Sequence, residues 1–403
     1  MRIAVLGAGV VGVTTAYFLA EHGHTVIVID RADEVASAAS HANGGQLSYS
    51  YTDSLARPSL LTKLPGLLFG LDPSFRIRPR INSHLTSWGI AFLRECTTRR
   101  HQKNTLTALA LAMQSERLLA EIVRKVPIEF SHRGAGKLVL ISSQADLKSA
   151  RDSSALKREH GCTTKVLSID EVQAIEPAVA SMVNGYCGAQ YSEGDEVGDA
   201  NAFTVNLSRW LEENRDVCFS LGSEIHGITH KQGRVDGVRT SDDLVNVDAA
   251  VVCLGAWSNK ILSPLGITTN VYPVRGYSVT LPPGSAPSNV SLTDLERKIV
   301  FSRLGDQIRI AGFADFVGYD TRNDPARIRS LLELAKKVAP KLADYETPSS
   351  LDWGGFRPMT PNSLPLVGAS KLPGLFLNTG HGMLGWTLAC GSADKVAQAI
   401  ASG

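Results

Sequence analysis

The residues with the clearest chemical assignment stand near the start of the chain. Gly7-Ala8-Gly9-Val10-Val11-Gly12 places three glycines at G-x-G-x-x-G spacing, and Asp30 follows eighteen positions after Gly12. That pattern can hold a pyrophosphate. Gly7 permits a tight turn, Gly9 lets the backbone approach the phosphates, and Gly12 lets a helix pack closely on a strand. The helix N-terminus then faces negative charge, and a carboxylate at Asp30 can accept hydrogen bonds from the ribose hydroxyls of an adenosine. A glycine turn that merely joins strand to helix is the competing reading.

The elements around the turn have the order this chemistry needs. Arg2 to Leu6 reads as a short buried strand, Val11 to Gly23 as a helix ended by glycine, and Thr25 to Ile29 as a second apolar strand. Together they make a βαβ unit of the length a parallel pair requires. FAD and NAD present the same ADP half to such a turn, so the turn alone does not choose between them. Arg31 and the small-residue loop Ser37 to Gln46 follow. There the amides of Ala42, Asn43, Gly44, Gly45 and Gln46 could reach a long cofactor, or the segment is only a surface loop. Ala249 to Trp257 reads as a returning central strand that ends at Gly255 and Trp257.

Size and charge bound the rest. At 403 residues the chain exceeds one ordinary core and predicts two domains. With 43% hydrophobic and 20% charged residues and 36 glycines it reads as a globular α/β protein. A net charge of +2 offers no footprint for nucleic acid. The six cysteines are scattered without C-x-x-C or Cys/His spacing, which predicts neither zinc nor a disulfide framework and fits a reducing cytosol. Gly7, Gly9 and Gly12 interrupt the apolar N-terminus and argue against a signal peptide. No apolar run reaches the roughly 18 to 20 residues of a membrane span.

Two C-terminal segments extend the pattern. Trp353-Gly354-Gly355-Phe356-Arg357-Pro358-Met359-Thr360-Pro361 is followed by Leu375 to Thr379 and then Gly380-His381-Gly382-Met383-Leu384-Gly385-Trp386. Together with the N-terminal turn, Asn43-Gly44-Gly45-Gln46, Gly198-Asp199 and Tyr272 to Ser278, they resemble the D-amino acid dehydrogenase family. That family lies within the wider group that includes D-amino acid oxidase, glycine oxidase and sarcosine oxidase. The resemblance runs over essentially the whole chain.

The resemblance implies an α/β fold: a Rossmann-type FAD-binding domain with an inserted α+β substrate domain built on a mixed sheet. It assigns 1–50, 195–260 and 353–403 to the FAD domain and 51–194 and 261–352 to the substrate domain. Within the first, Asp199 is expected to cap a helix from Ala200 to Asn214, followed by a strand from Val217 and an adenine-side turn at Ile225. In the second, a helix around Ser83 to Val126 and strands near 137–141, 271–281, 298–302 and 307–312 are expected. Gly380 to Trp386 leads into a helix whose amides would face the N1 and C2 carbonyl edge of the flavin, where negative charge develops on hydride uptake.

The implied reaction is FAD-dependent oxidation of a D-amino acid to an imino acid, which water hydrolyses to a keto acid and ammonia. No metal and no dedicated nucleophile is needed. Arg357 is the candidate partner of the substrate carboxylate, since guanidinium recognises it bidentately, with a structural ion pair as the alternative. Tyr277 is a candidate second donor, against a tyrosine that fills the sheet's core. His381 is a candidate contact to cofactor or substrate, against a histidine held by the backbone.

A quinone-type acceptor is implied. The apolar and then basic segment 60–80, with Arg76, Arg78 and Arg80, is read either as a peripheral contact with the inner face of the cytoplasmic membrane or as a loop over the substrate site, since Pro65 and Gly66 break a long amphipathic helix. The alternatives carried are an oxidase or dehydrogenase of glycine, sarcosine or a cyclic imino acid such as D-hydroxyproline, an inactive flavin-binding subunit, and a nicotinamide-dependent dehydrogenase.

Overall fold

Alternation along the first strands decides how the dinucleotide half is layered. In the computed structural model, which describes residues 1–68, 72–78, 83–322 and 324–402, strands Arg2–Leu6 and Thr25–Ile29 form as the sequence predicts. Ile3, Val5, Val26, Val28, Ala249 and Val251 face one side, where they join the core of helices Val10–Glu21, Ala200–Asn214 and Gly385–Ala401. Ala4, Leu6, Ile29, Ala250 and Val252 face the other, under a three-stranded antiparallel sheet of Ile225–Lys231, Arg234–Thr240 and Leu244–Asn246. The central sheet has six strands in the order 366–369, 375–379, 249–252, 2–6, 25–29, 217–220. All pairs are parallel except that of Leu366–Ala369 with Leu375–Thr379. Strand order reverses beside Arg2–Leu6, which opens a crevice at the carboxyl ends of the strands.

Helix Val10–Glu21 is apolar around most of its circumference because helices cover it on two sides. Asp199 accepts hydrogen bonds from the backbone N–H groups of Asn201 and Ala202 and caps the helix that follows, as its position predicts.

The other half is a nine-stranded mixed sheet. Its main path runs 351–359, 272–281, 307–316, 299–304, 291–294, 137–141, 188–192, 164–167, with Phe75–Ile77 pairing off the path. Leu138, Leu140, Val279, Leu292, Phe301 and Ile310 bury one face against helix Pro325–Val338. Three side chains tie this sheet to the 42–46 loop. Ser278 donates to the carbonyl of Ala42, Arg309 to that of Asn43, and Lys137 to the side-chain oxygen of Gln46.

Two features differ from the sequence expectation. The stretch from Ser83 to Val126 is two helices, Ser83–Glu95 and Thr98–Lys125, because Thr97 turns to an extended conformation and its hydroxyl accepts from the backbone of Arg100. The residues around 353 belong to an edge strand, Leu351–Met359, paired along its length with Tyr272–Leu281, so a boundary at 353 cuts a strand of the substrate sheet. Helix Thr98–Lys125 adds Leu111, Ala112, Leu119 and Ile122 to the core of the dinucleotide half. We therefore propose that this helix belongs with the FAD domain and that the C-terminal boundary falls after Met359.

Candidate active site

A cavity of about 1760 Å3 runs from the glycine turn to the substrate sheet. At its first end Gly7 has φ +109°, and a Cβ there would lie 2.7 Å from the carbonyl oxygen of Cys253. Gly12 does not line the cavity. A Cβ on it would lie 1.8 Å from the carbonyl oxygen of Gly7, so it serves the helix–strand packing. Asp30 accepts from the N–H groups of Ala8 at 2.7 Å and Ala32 at 3.0 Å, bracing the turn while its carboxylate borders the cavity. The N–H of Val13 bonds the carbonyl of Gly9, leaving the amides ahead of it outside the helical ladder. The Val10 amide is met by the Ser40 hydroxyl at 2.9 Å, a contact that spacing did not single out. Gly9 and Val11 line the wall, and the Arg31 guanidinium stands 4.6 Å above the Trp257 ring with Ile225 and Gly255 nearby on the same cavity.

Deeper in, the 42–46 loop is held firmly. Asn43 accepts from the Gly45 amide at 2.9 Å, and Gln46 donates to Ser291 at 2.6 Å while accepting from Lys137 at 2.8 Å. Ala42 and Gly44 complete this wall. On the facing side the chain passes Gly380, which packs on Thr360 away from the cavity, and reaches His381, Gly382, Met383 and Leu384 on it. The helical ladder there opens with Leu388 bonding Leu384, so the amides of Gly385, Trp386 and Thr387 precede it. The Trp386 indole is spent elsewhere: it donates to the Gly198 carbonyl and packs on Phe130 and Phe203, leaving its backbone as the group that can meet a ligand. His381 is 3% exposed, and its Nε2 lies 2.9 Å from the Ser392 hydroxyl. Burial pushes its imidazole down to about 3, so the ring is neutral at working pH.

The substrate sheet supplies the other end. Arg357 donates to the carbonyls of Phe313 at 2.6 Å and Gly312 at 3.5 Å, and no carboxylate among the described residues pairs with it. Burial lowers its guanidinium to about 10, opposed by the more distant Asp315. It lies across Gly276, where a Cβ would come within 2.3 Å of the guanidinium carbon. Tyr277, 1% exposed, gives its hydroxyl to Asp315 at 2.9 Å, within a cluster that also holds Arg76 and Arg327. Burial beside that carboxylate pushes it up to about 12. Tyr277 borders the cavity, and its hydroxyl is engaged by Asp315 and by Arg76.

The sequence model of the family described as FAD dependent oxidoreductase (DAO) matches residues 2–399. The chain belongs to this family. It is 38% identical over 410 residues to D-amino acid dehydrogenase 2 of Ralstonia nicotianae, a match spanning 100% of this chain and 96% of that protein. To the D-amino acid dehydrogenase of Phenylobacterium zucineum it is 40% identical over 402 residues, spanning 99% and 94%. Among solved structures, glycine oxidase from Geobacillus kaustophilus superposes with a TM-score of 0.78 at 20% identity, covering 100% of this chain and 95% of that one. At this identity the likeness speaks for the fold.

FAD is the cofactor of this DAO-family chain, and the cavity wall fits it: a glycine cradle at one end, free helix-start amides at the other. Between them the fully buried Asn378 lines the cavity with a side-chain oxygen that has no protein partner. Sequence reasoning passed over Lys137, Ser40 and the apolar wall of Leu85, Trp88 and Phe92, while Leu60 and Phe75 of segment 60–80 border the same cavity.

Of the segment 60–80, residues 69–71, 79 and Arg80 lie outside the described residues. Helix Pro58–Leu68 continues through Pro65 and Gly66, which local propensity marked as a break. Arg76 pairs with Asp315 and Asp324, and Arg78 with Asp320, so these two charges meet the protein's own carboxylates instead of forming a free basic patch. No helix among the described residues is long and apolar enough to cross a membrane.

Proposed function

We propose that this chain is an FAD-dependent D-amino acid dehydrogenase that oxidises its substrate to an imino acid, later hydrolysed to a keto acid and ammonia, and passes electrons to a quinone-type acceptor. The observation that carries the reading is Arg357, a guanidinium in the cavity wall with two backbone anchors and no carboxylate partner among the described residues. Its remaining donors suit a carboxylate brought by the substrate. FAD, when bound, supplies the two-electron acceptor for the Cα–H bond.

The chain's own residues do the rest. Arg357 fixes the carboxylate and so the position of Cα. The strand carrying it reaches Met359, which bridges to His381, so the carboxylate anchor is held beside the segment that leads into the helix start. Neutral His381 adds no charge beside the substrate amine and is too weak a base to take a proton at neutral pH. Trp88, Phe92 and Trp353 line the cavity and limit water there.

The test is the visible spectrum of the FAD-loaded protein under anaerobic conditions, before and after D-alanine, D-proline and D-hydroxyproline, with the L-isomers as controls. Bleaching selective for D-isomers is expected. A spectrum untouched by all of them overturns the reading. Reduction of an artificial quinone without hydrogen peroxide release is expected of a dehydrogenase and separates it from an oxidase. Contact with a membrane would run through segment 60–80, where Leu61 is exposed next to the cavity-lining Leu60 and Thr62. Co-sedimentation with anionic liposomes at low salt checks it, and its failure removes that part.

A further inference from the structure

Lys137 and Lys157 are both buried, at 2% and 0% exposure, and the fold treats them differently. Lys157 donates to the carbonyl of Ser50 and forms an ion pair with Asp53, which also accepts from Ser153. It is a paired structural cation. Lys137 has no carboxylate at ion-pair distance among the described residues. Its ammonium donates to the Gln46 side-chain oxygen and the Ser48 hydroxyl, each at 2.8 Å, and stands 4.6 Å from the centre of the Tyr51 ring. The acid whose charge acts on it is Asp195, whose one oxygen accepts from the backbone and hydroxyl of Ser50 and whose other oxygen has no partner among the described residues.

A buried cation without a contact counter-ion costs the fold stability, and an apolar side chain of like volume would serve packing as well. What sets Lys137 apart is where it points. Lys137, Gln46, Ser48 and Tyr51 all line the cavity, and Lys157 does not. The Ser48 amide donates in turn to Thr387, in the first turn of the helix that starts at Gly385. The charge is thus anchored to both walls that meet the flavin end of the cofactor. Burial lowers the amine to about 8, with Asp195 raising it and Lys157 lowering it further, so it is still protonated at neutral pH.

We propose that Lys137 is a positioning residue for the flavin: a buried positive charge, held by Gln46 and Ser48, that favours the cofactor's reduced state, in which extra negative charge lies at this end of the cavity. The proposal rests on the flavin ring lying between the 42–48 and 381–387 segments, and it is independent of which amine is oxidised.

The experiment is the flavin reduction potential of the FAD-loaded protein, measured by equilibrium with a reference dye under chemical reduction. It needs no amino acid, so its outcome stands whether or not the D-amino acid reading does. Lys137→Met is expected to shift the oxidised-to-reduced ratio at a fixed potential at least tenfold toward oxidised, about 30 mV for a two-electron couple. Lys137→Arg, which keeps the charge, is expected to stay within threefold of the wild type. A wild-type potential in Lys137→Met overturns the proposal, as does an equal shift in Lys137→Arg. Lys137→Gln is the second charge-removing variant. If neither it nor Lys137→Met folds, the lysine is structural in the manner of Lys157 and the proposal falls.

Discussion

The two ends of the cavity are built by different means. At the dinucleotide end the working groups are backbone: a turn only glycine can make, amides ahead of a helical ladder, and one carboxylate bracing them, all within the first thirty residues. At the substrate end they are side chains from separated strands, and the guanidinium of Arg357 rests on the bare backbone of Gly276. A backbone site is encoded by local spacing. A side-chain site is encoded by which strands pair, and that depends on the whole core.

The sharpest break in this contrast is steric. Gly12→Val drives carbon into the Gly7 carbonyl, a clash worth about 3 kcal/mol or more, and the protein is expected to be recovered with its FAD affinity reduced about a hundredfold or more. The ratio of flavin to protein absorbance reads this directly, and full flavin occupancy would show that the turn can shift. Next comes Arg357→Met, which removes the anchor for the carboxylate. It is expected to lower kcat/KM for D-amino acids about a hundredfold, mostly through KM, with FAD retained. Loss of FAD in this variant would mean that the two ends are not separable.

His381 gives a pH signature. Because its folded pKa of about 3 lies below that of a free imidazole, it stabilises the fold fully above about pH 6.5 and loses that contribution as pH falls toward 3. In His381→Gln the decline in melting temperature between pH 6.5 and 4 should be shallower by about 2–4 °C, as followed by thermal unfolding across that range. The smallest effect is expected at Tyr277→Phe. Its hydroxyl serves Asp315, so stability should fall by about 1 kcal/mol while KM stays within threefold; a tenfold rise in KM would make it a substrate contact after all.

The same division explains what could be read in advance. Gly7, Gly9, Gly12 and Asp30, and the capping of helix Ala200–Asn214 by Asp199, follow from spacing and local hydrogen bonding, and the structure places them as expected. Arg357 was singled out for its bidentate guanidinium, but its backbone anchors at Phe313 and Gly312 could not be read from spacing. The partners of the Trp386 indole and the Tyr277 hydroxyl, Gly198 and Asp315, could not be read in advance because they come from distant segments. Lys137 reads as an ordinary strand residue until its burial is known. The pairing of edge strand Leu351–Met359 with Tyr272–Leu281, which a boundary at 353 divides, was not legible because a strand's partner is fixed by sheet pairing and not by anything in its own composition.

The central sheet has a consequence for how the protein is made. Arg2–Leu6 pairs on one side with Ala249–Val252, and that strand in turn pairs with Leu375–Thr379, so neighbours in the sheet lie far apart in the sequence. The glycine turn can form with the nearby Thr25–Ile29, but the crevice beside it exists only once a distant stretch of chain has been brought alongside. Pairing of this kind is slow to form, so cofactor capture is expected late in folding.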